Sequence, residues 1–237
     1  MPEELLNPYE YFVNELNFLV NPFGVATMYY PGAGLDWEPI NVVLSALNNS
    51  NRRPSLLQVI YVDYEPSIKH EDVTKFAERT LRIELGLEVL DRQDLNFADF
   101  NERSAECFFP IATEAVPACL ECSGDQDFFG MRWLYRDARL SFIYLKTEAI
   151  STYKILLKNK IYPDLVVLQD HGWGGGWTPF SGSQSLLLAA SKRHMPKYLY
   201  VASNGDPWPG YLKVSSAYAG RGQMHDHDRA LYRYKHD

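Results

Sequence analysis

The chain is short of cysteine, of positive charge and of long apolar runs, and each shortage removes a class of protein. Three Cys in 237 residues cannot build a dense disulfide framework, and an odd number fits a reducing compartment better than secretion. Lys and Arg number 23 against 30 Asp and Glu, a formal net charge of −7. A nucleic-acid binder needs cations to displace counterions from phosphate, so no nucleic-acid partner is expected, despite 16 Tyr, 12 Phe and 5 Trp. No uninterrupted apolar run approaches the ~20 residues that span a bilayer. Met1-Pro2-Glu3-Glu4 is acidic where a secretory signal is basic. These features predict a cytoplasmic protein with no membrane contact. Signatures of common enzyme classes are missing too: the sequence holds no GxxxxGK[ST], no HExxH and no GxSxG.

What is present is an alternation of strand and helix patterns. Tyr9, Phe12, Val13, Leu16 and Val20 recur at helical spacing and predict an N-terminal amphipathic helix. Residues 25–30 and 56–62 read as buried strands. The helix between them begins near Pro39, with Ile40, Val43, Leu44 and Leu47 on its apolar face. A helix over roughly 70–84 follows. Residues 86–130 keep no sustained period and are read as an insertion. Residues 133–135 and 140–145 form a hairpin or two separate strands. A helix at 148–160 then leads to a strand at 164–169, apolar on both faces as in a parallel sheet. A further helix (181–193) and strands at 197–202, 211–218 and 230–234 complete the chain. The expectation is one α/β domain over 1–237. It is a doubly wound, mostly parallel sheet with an antiparallel C-terminal strand, an N-terminal helix and the 86–130 insertion.

The loop after the first strand is Tyr30-Pro31-Gly32-Ala33-Gly34-Leu35-Asp36. Its glycines let a backbone approach a ligand closely, and a following helix N-terminus attracts anions. Asp36 and Glu38 would repel a pyrophosphate there, so nucleotide phosphates are disfavoured. A plain strand-to-helix turn capped by Asp36 is the alternative. The element order and this loop resemble the Rossmann-like fold of S-adenosylmethionine (SAM)-dependent methyltransferases, over roughly 25–84 and 140–234. In that family an acid precedes a Gly-x-Gly-x-Gly run by two positions. Gly32 and Gly34 match, Tyr30 stands in place of the acid and Asp36 in place of the last glycine. The resemblance implies SAM as cofactor, held by Gly32, Gly34 and Asp63, the last at the position of the family's ribose-binding acid. SAM carries no phosphate and tolerates carboxylates.

In an open parallel sheet, ligands bind outside the strand carboxyl ends, where the strand order reverses. Asp170-His171-Gly172-Trp173-Gly174-Gly175-Gly176-Trp177 and Ser203-Asn204-Gly205-Asp206-Pro207-Trp208 follow two such ends. Three consecutive glycines cost backbone entropy, so that segment is read as a loop closing over a flat ligand, with Trp173 or Trp177 stacking on it. In methyltransferase-like proteins this position commonly carries catalytic groups, which makes Asp170 and His171 the first candidates. His171 would act as general base with Asp170 orienting it. Asn204 and Trp208 join Trp173 and Trp177 on the substrate side. The bland alternative is a tight crossover whose tryptophans pack on the insertion.

Two other clusters carry less. His225 and His227 point the same way in an extended chain, yet without a third spaced partner they read as a polar turn. Cys107, Cys119 and Cys122 are one ligand short of a Cys₄ zinc site. No metal site is assigned. The sequence thus leads to a methyltransferase-like protein acting on a small-molecule ligand. The alternatives are a metal- or acid/base-dependent enzyme using Asp170 and His171, and a non-catalytic binding protein of the same fold.

Overall fold

A computed structural model describes residues 25–32, 39, 40, 42, 43, 56–63, 71, 75, 89–95, 128–135, 138–145, 149–169, 194–202, 209–218 and 228–235. They include nine strands: β1 (Val25–Pro31), β2 (Leu56–Val62), β3 (Val89–Leu95), β4 (Phe128–Tyr135), β5 (Ala138–Leu145), β6 (Leu165–Gln169), β7 (Tyr198–Ala202), β8 (Tyr211–Tyr218) and β9 (Asp228–Tyr234). One helix, α1 (Ala149–Lys158), is described along its length. Pro39, Ile40, Val42 and Val43 are helical, as are Glu71 and Lys75. No helix among the described residues is long and apolar enough to cross a membrane.

All nine strands form one sheet in the order β3-β4-β5-β2-β1-β6-β7-β9-β8. The five central strands, β5-β2-β1-β6-β7, pair in parallel throughout. At one side β4 and β3 add antiparallel. At the other, β9 lies antiparallel between β7 and β8. The sheet is therefore mixed, with a parallel centre and antiparallel C-terminal strands, as expected for an α/β protein. The segment read as a patternless insertion supplies β3 and the first residues of β4. Its β3 sequence, Val-Leu-Asp-Arg-Gln-Asp-Leu, belongs to an edge strand, where polar and charged residues discourage further pairing. Residues 133–145 resolve into the β4–β5 hairpin, with Tyr135 opposite Ala138.

Burial on both faces explains why the central strands are apolar without alternation. β2 is buried at every position. One face carries a row, in register, of Ile143, Ile60, Tyr29, Val166, Leu199 and Tyr232. Helix α1 packs on this face through Ala149, Tyr153 and Leu156, spaced to fall on one stripe. The Tyr29 hydroxyl donates to the Ala149 carbonyl at 2.6 Å, tying the first helical turn to β1. The helix stops in a tight C-terminal motif. Lys160 is left-handed (φ 61°). The Lys160 N–H donates to the Leu157 carbonyl at 3.0 Å and the Ile161 N–H to the Leu156 carbonyl at 2.9 Å, the Schellman pattern. The opposite face carries an aromatic row: Tyr30, Tyr61 and Tyr144 stand in register on β1, β2 and β5. Their rings lie 5.5 Å and 5.7 Å apart, and none is more than 2 % exposed.

Candidate functional site

The strand order reverses at β1. From β1 the sheet grows through β2 to β5 on one side, while β6 and β7 add on the other. Such a reversal places a crevice between the carboxyl ends of the two central strands. Here those are β1 and β6.

On the β2 side of the reversal the strand ends are level. Pro31, Val62 and Leu145 share one register row. One residue beyond that row, the Gly32 N–H donates to the Val62 carbonyl at 2.7 Å, and the Asp63 N–H donates to the Leu145 carbonyl at 3.2 Å. Gly32 and Asp63 therefore sit on adjacent strand ends. Gly32 turns the chain with φ 62°, a conformation that costs a residue with a Cβ roughly 1–2 kcal/mol. Asp63 is half-buried. Below them, Tyr30 fills the position that an acid holds in the family resembled, and it is buried at 0 % exposure against Tyr61.

On the β6 side the seam is tied at its amino end, and its pairing stops short of the strand ends at the other. At the amino end Asp164 closes it. Its carboxylate accepts the Thr27 N–H at 3.0 Å, and its own N–H donates to the Thr27 carbonyl at 2.8 Å. The Asp164 carbonyl accepts the Tyr198 N–H at 3.0 Å, which brings in β7. Lys197 Nζ completes the cluster, 2.8 Å from Asp164 Oδ1. Burial raises the Asp164 carboxyl above its usual range, against the opposing pull of the Lys197 ammonium and the Thr27 N–H. Above this point β1 and β6 pair only at Met28–Leu165 and Tyr29–Val166. Both strands run on past the last pair, to Pro31 and Gln169.

Of the residues expected to form the site, the structure brings Gly32 and Asp63 together. Gly34, Asp170, His171, Trp173, Trp177, Asn204 and Trp208 lie outside the described residues, as do His225, His227 and the three cysteines. The chain enters the 170–177 segment directly from Gln169 at the end of β6, and the 203–208 segment from Ala202 at the end of β7. Among the described residues no group of three His, Cys, Asp or Glu could hold a metal ion. Two residues that bear on where β1 and β6 pair were not singled out in the sequence: Asp164, at the amino end of the seam, and Pro31, at the last position of β1. Their signals were an acid after Pro163 at the mouth of an apolar strand, and a proline at a strand's last position.

No family model matches the sequence, and no curated protein matches it. Among solved structures, the chain is similar to "Putative methyltransferase yhhF from Escherichia coli", at 12% identity and a TM-score of 0.38. The alignment covers 99% of this chain and 90% of that one.

Proposed function

We propose that the chain is a methyltransferase-like protein of Rossmann-like, doubly wound fold that binds SAM and transfers its methyl group to a small molecule. The observation that carries this reading is the strand order. Five parallel strands in the order β5-β2-β1-β6-β7 are followed by β9 inserted antiparallel before β8. The family resemblance rests on element order, which ends in a strand inserted antiparallel to the rest, and on the 30–36 loop.

The chemistry at the crevice fits the cofactor. Gly32 presents backbone with no Cβ at a sharp turn, and Asp63 offers a carboxylate one strand away. A carboxylate there suits ribose hydroxyls as hydrogen-bond donors and opposes phosphate. When bound, SAM supplies an electrophilic methyl on a sulfonium. In this reading Gly32, Gly34 and Asp63 hold the cofactor. Trp173 and Trp177 cover the acceptor, with Asn204 and Trp208 beside them. His171, oriented by Asp170, takes the acceptor's proton. A thermal-shift series tests the assignment: S-adenosylhomocysteine at a hundredfold excess over its dissociation constant stabilises by about 2.7 kcal/mol, whereas ATP and NAD leave the melting temperature unchanged. Equal responses to all three, or none to S-adenosylhomocysteine, would overturn it.

A further inference from the structure

The parallel strands start at the end of the sheet opposite the crevice, and on the β6–β8 side that end is basic. Helix α1 finishes there at Lys158, and residues 159–164 lead into β6. The chain segments of this end are tied to one another in turn. The Tyr162 and His194 rings stack at 4.0 Å. The Asp164 carbonyl accepts the Tyr198 N–H, the Tyr234 N–H donates to the Lys197 carbonyl at 2.9 Å, and the Lys235 N–H donates to the Gly210 carbonyl at 2.8 Å, just ahead of β8. Lys158, Lys160, Lys213, Arg233 and Lys235 are exposed on these segments. Asp164 is the one acid among the described residues there, and Lys197 already holds it at 2.8 Å. The exposed large hydrophobic side chains among the described residues, Tyr162 at 38% and Leu212 at 45%, lie at the same end. A positive surface with apolar side chains among its cations fits an acidic segment that carries aromatic rings.

The chain holds such a segment. Most of its formal charge of −7 falls in residues 96–127, which join β3 to β4 and carry seven Asp or Glu, one Arg and four Phe. β3 and β4 are at the other edge of the sheet from β9 and β8. Phe128 stands opposite Leu145, so this connection meets the sheet at the carboxyl end of β5, whereas the cations lie at the amino end. At about 4.8 Å between neighbouring strands, β4 is ~30 Å from β9 across the sheet alone. We infer that the basic surface docks residues 96–127 of a second copy of this chain, with Lys158, Lys213 and Lys235 facing its carboxylates. Because the two surfaces differ, the association is head-to-tail. Charge between solvated groups holds it, so it weakens as salt shortens the Debye length. The association is independent of SAM.

Sedimentation velocity on the full chain is expected to show self-association that weakens about tenfold or more between roughly 0.01 M and 0.1 M salt, as the Debye length falls from about 30 Å to about 10 Å. Reversing the surface with Lys158→Glu, Lys213→Glu and Lys235→Glu together should leave a monomer. Reversing the segment with Asp99→Lys, Glu102→Lys and Glu106→Lys should do the same. Mixing the two variants should restore association, since each then meets a surface of opposite charge. A wild-type chain that is monomeric at low salt, or that associates equally at both salt concentrations, would overturn the inference without recourse to any variant. So would variants that melt cooperatively yet associate as the wild type does, or a mixture of the two folded variants that stays monomeric. Binding of the wild-type chain to phosphatidylserine vesicles while it stayed monomeric in solution would assign the surface to membranes instead.

Discussion

Replacing Asp164 tests whether the sheet's central seam is pinned where the geometry places the pin. The Asp164 side chain is 7% exposed and reaches both Lys197 at 2.8 Å and the buried Thr27 N–H at 3.0 Å. Asp164→Ala leaves that N–H without its carboxylate, a loss of about 1–3 kcal/mol. The Lys197 side chain is 36% exposed and can turn to water, so the lost ion pair adds no more than about 1 kcal/mol. The total is about 1–4 kcal/mol, or a melting temperature lower by roughly 2–16 °C at about 2–4 °C per kcal/mol for a chain of this size. Asp164→Asn keeps an oxygen facing Thr27 and should cost about 1 kcal/mol. Hydrogen exchange at the Thr27 amide should accelerate in the alanine variant and stay slow in the asparagine one. Differential scanning calorimetry showing both variants within about 0.5 kcal/mol of wild type would refute the pin, by the ordinary scale of a surface substitution.

The same residue sets a pH dependence. Burial raises the folded-state pKa of Asp164 above its unfolded value of 3.8, so between those two values the native state binds more protons than the unfolded one. Stability contributed by this group is then full below the unfolded value and is lost as pH rises through the folded value. The stability difference between wild type and Asp164→Asn should therefore shrink as pH rises through the acidic range. Urea titrations across that range would show it, and a difference that grew with pH would contradict it. Two tyrosines make a paired comparison. Tyr29→Phe removes the buried 2.6 Å bond to Ala149 and should cost about 1 kcal/mol. The Tyr153 hydroxyl is buried with no hydrogen-bond partner among the described residues, so Tyr153→Phe should be neutral or stabilising in the same denaturation assay. Lys160→Gly relieves a left-handed residue at the end of α1 and should raise stability by roughly 0.5–1 kcal/mol.

The central sheet was legible because its strands are buried on both faces. The boundaries of β2 and β8 follow from the apolar pattern alone, and β1 extends one residue further, into Pro31. The edge strand β3 was not legible. Among the described residues it pairs only with β4, its ladder shifts between Val89 and Asp91, and Asp91, Arg92 and Asp94 break any apolar run. The start of β9 at Asp228 escaped for a similar reason, since the polar Asp228-Arg229 pair reads as turn chemistry. At the candidate site, Gly32 and Asp63 were legible as a turn glycine and an acid ending a strand. The tie from Asp164 to Thr27 and the end of β1–β6 pairing at Pro31 were not, because both depend on which strands become neighbours.

The proposed SAM site lies beside Gly32 and Asp63. Isothermal titration calorimetry with S-adenosylhomocysteine addresses it directly, using the wild-type chain and Asp63→Ala. One saturable site per chain is expected in the wild type. Loss of the carboxylate's hydrogen bonds to ribose should weaken it by about 1.5–3 kcal/mol, roughly tenfold to a hundredfold. No saturable heat with the wild type, or equal affinity in the two proteins, would contradict it.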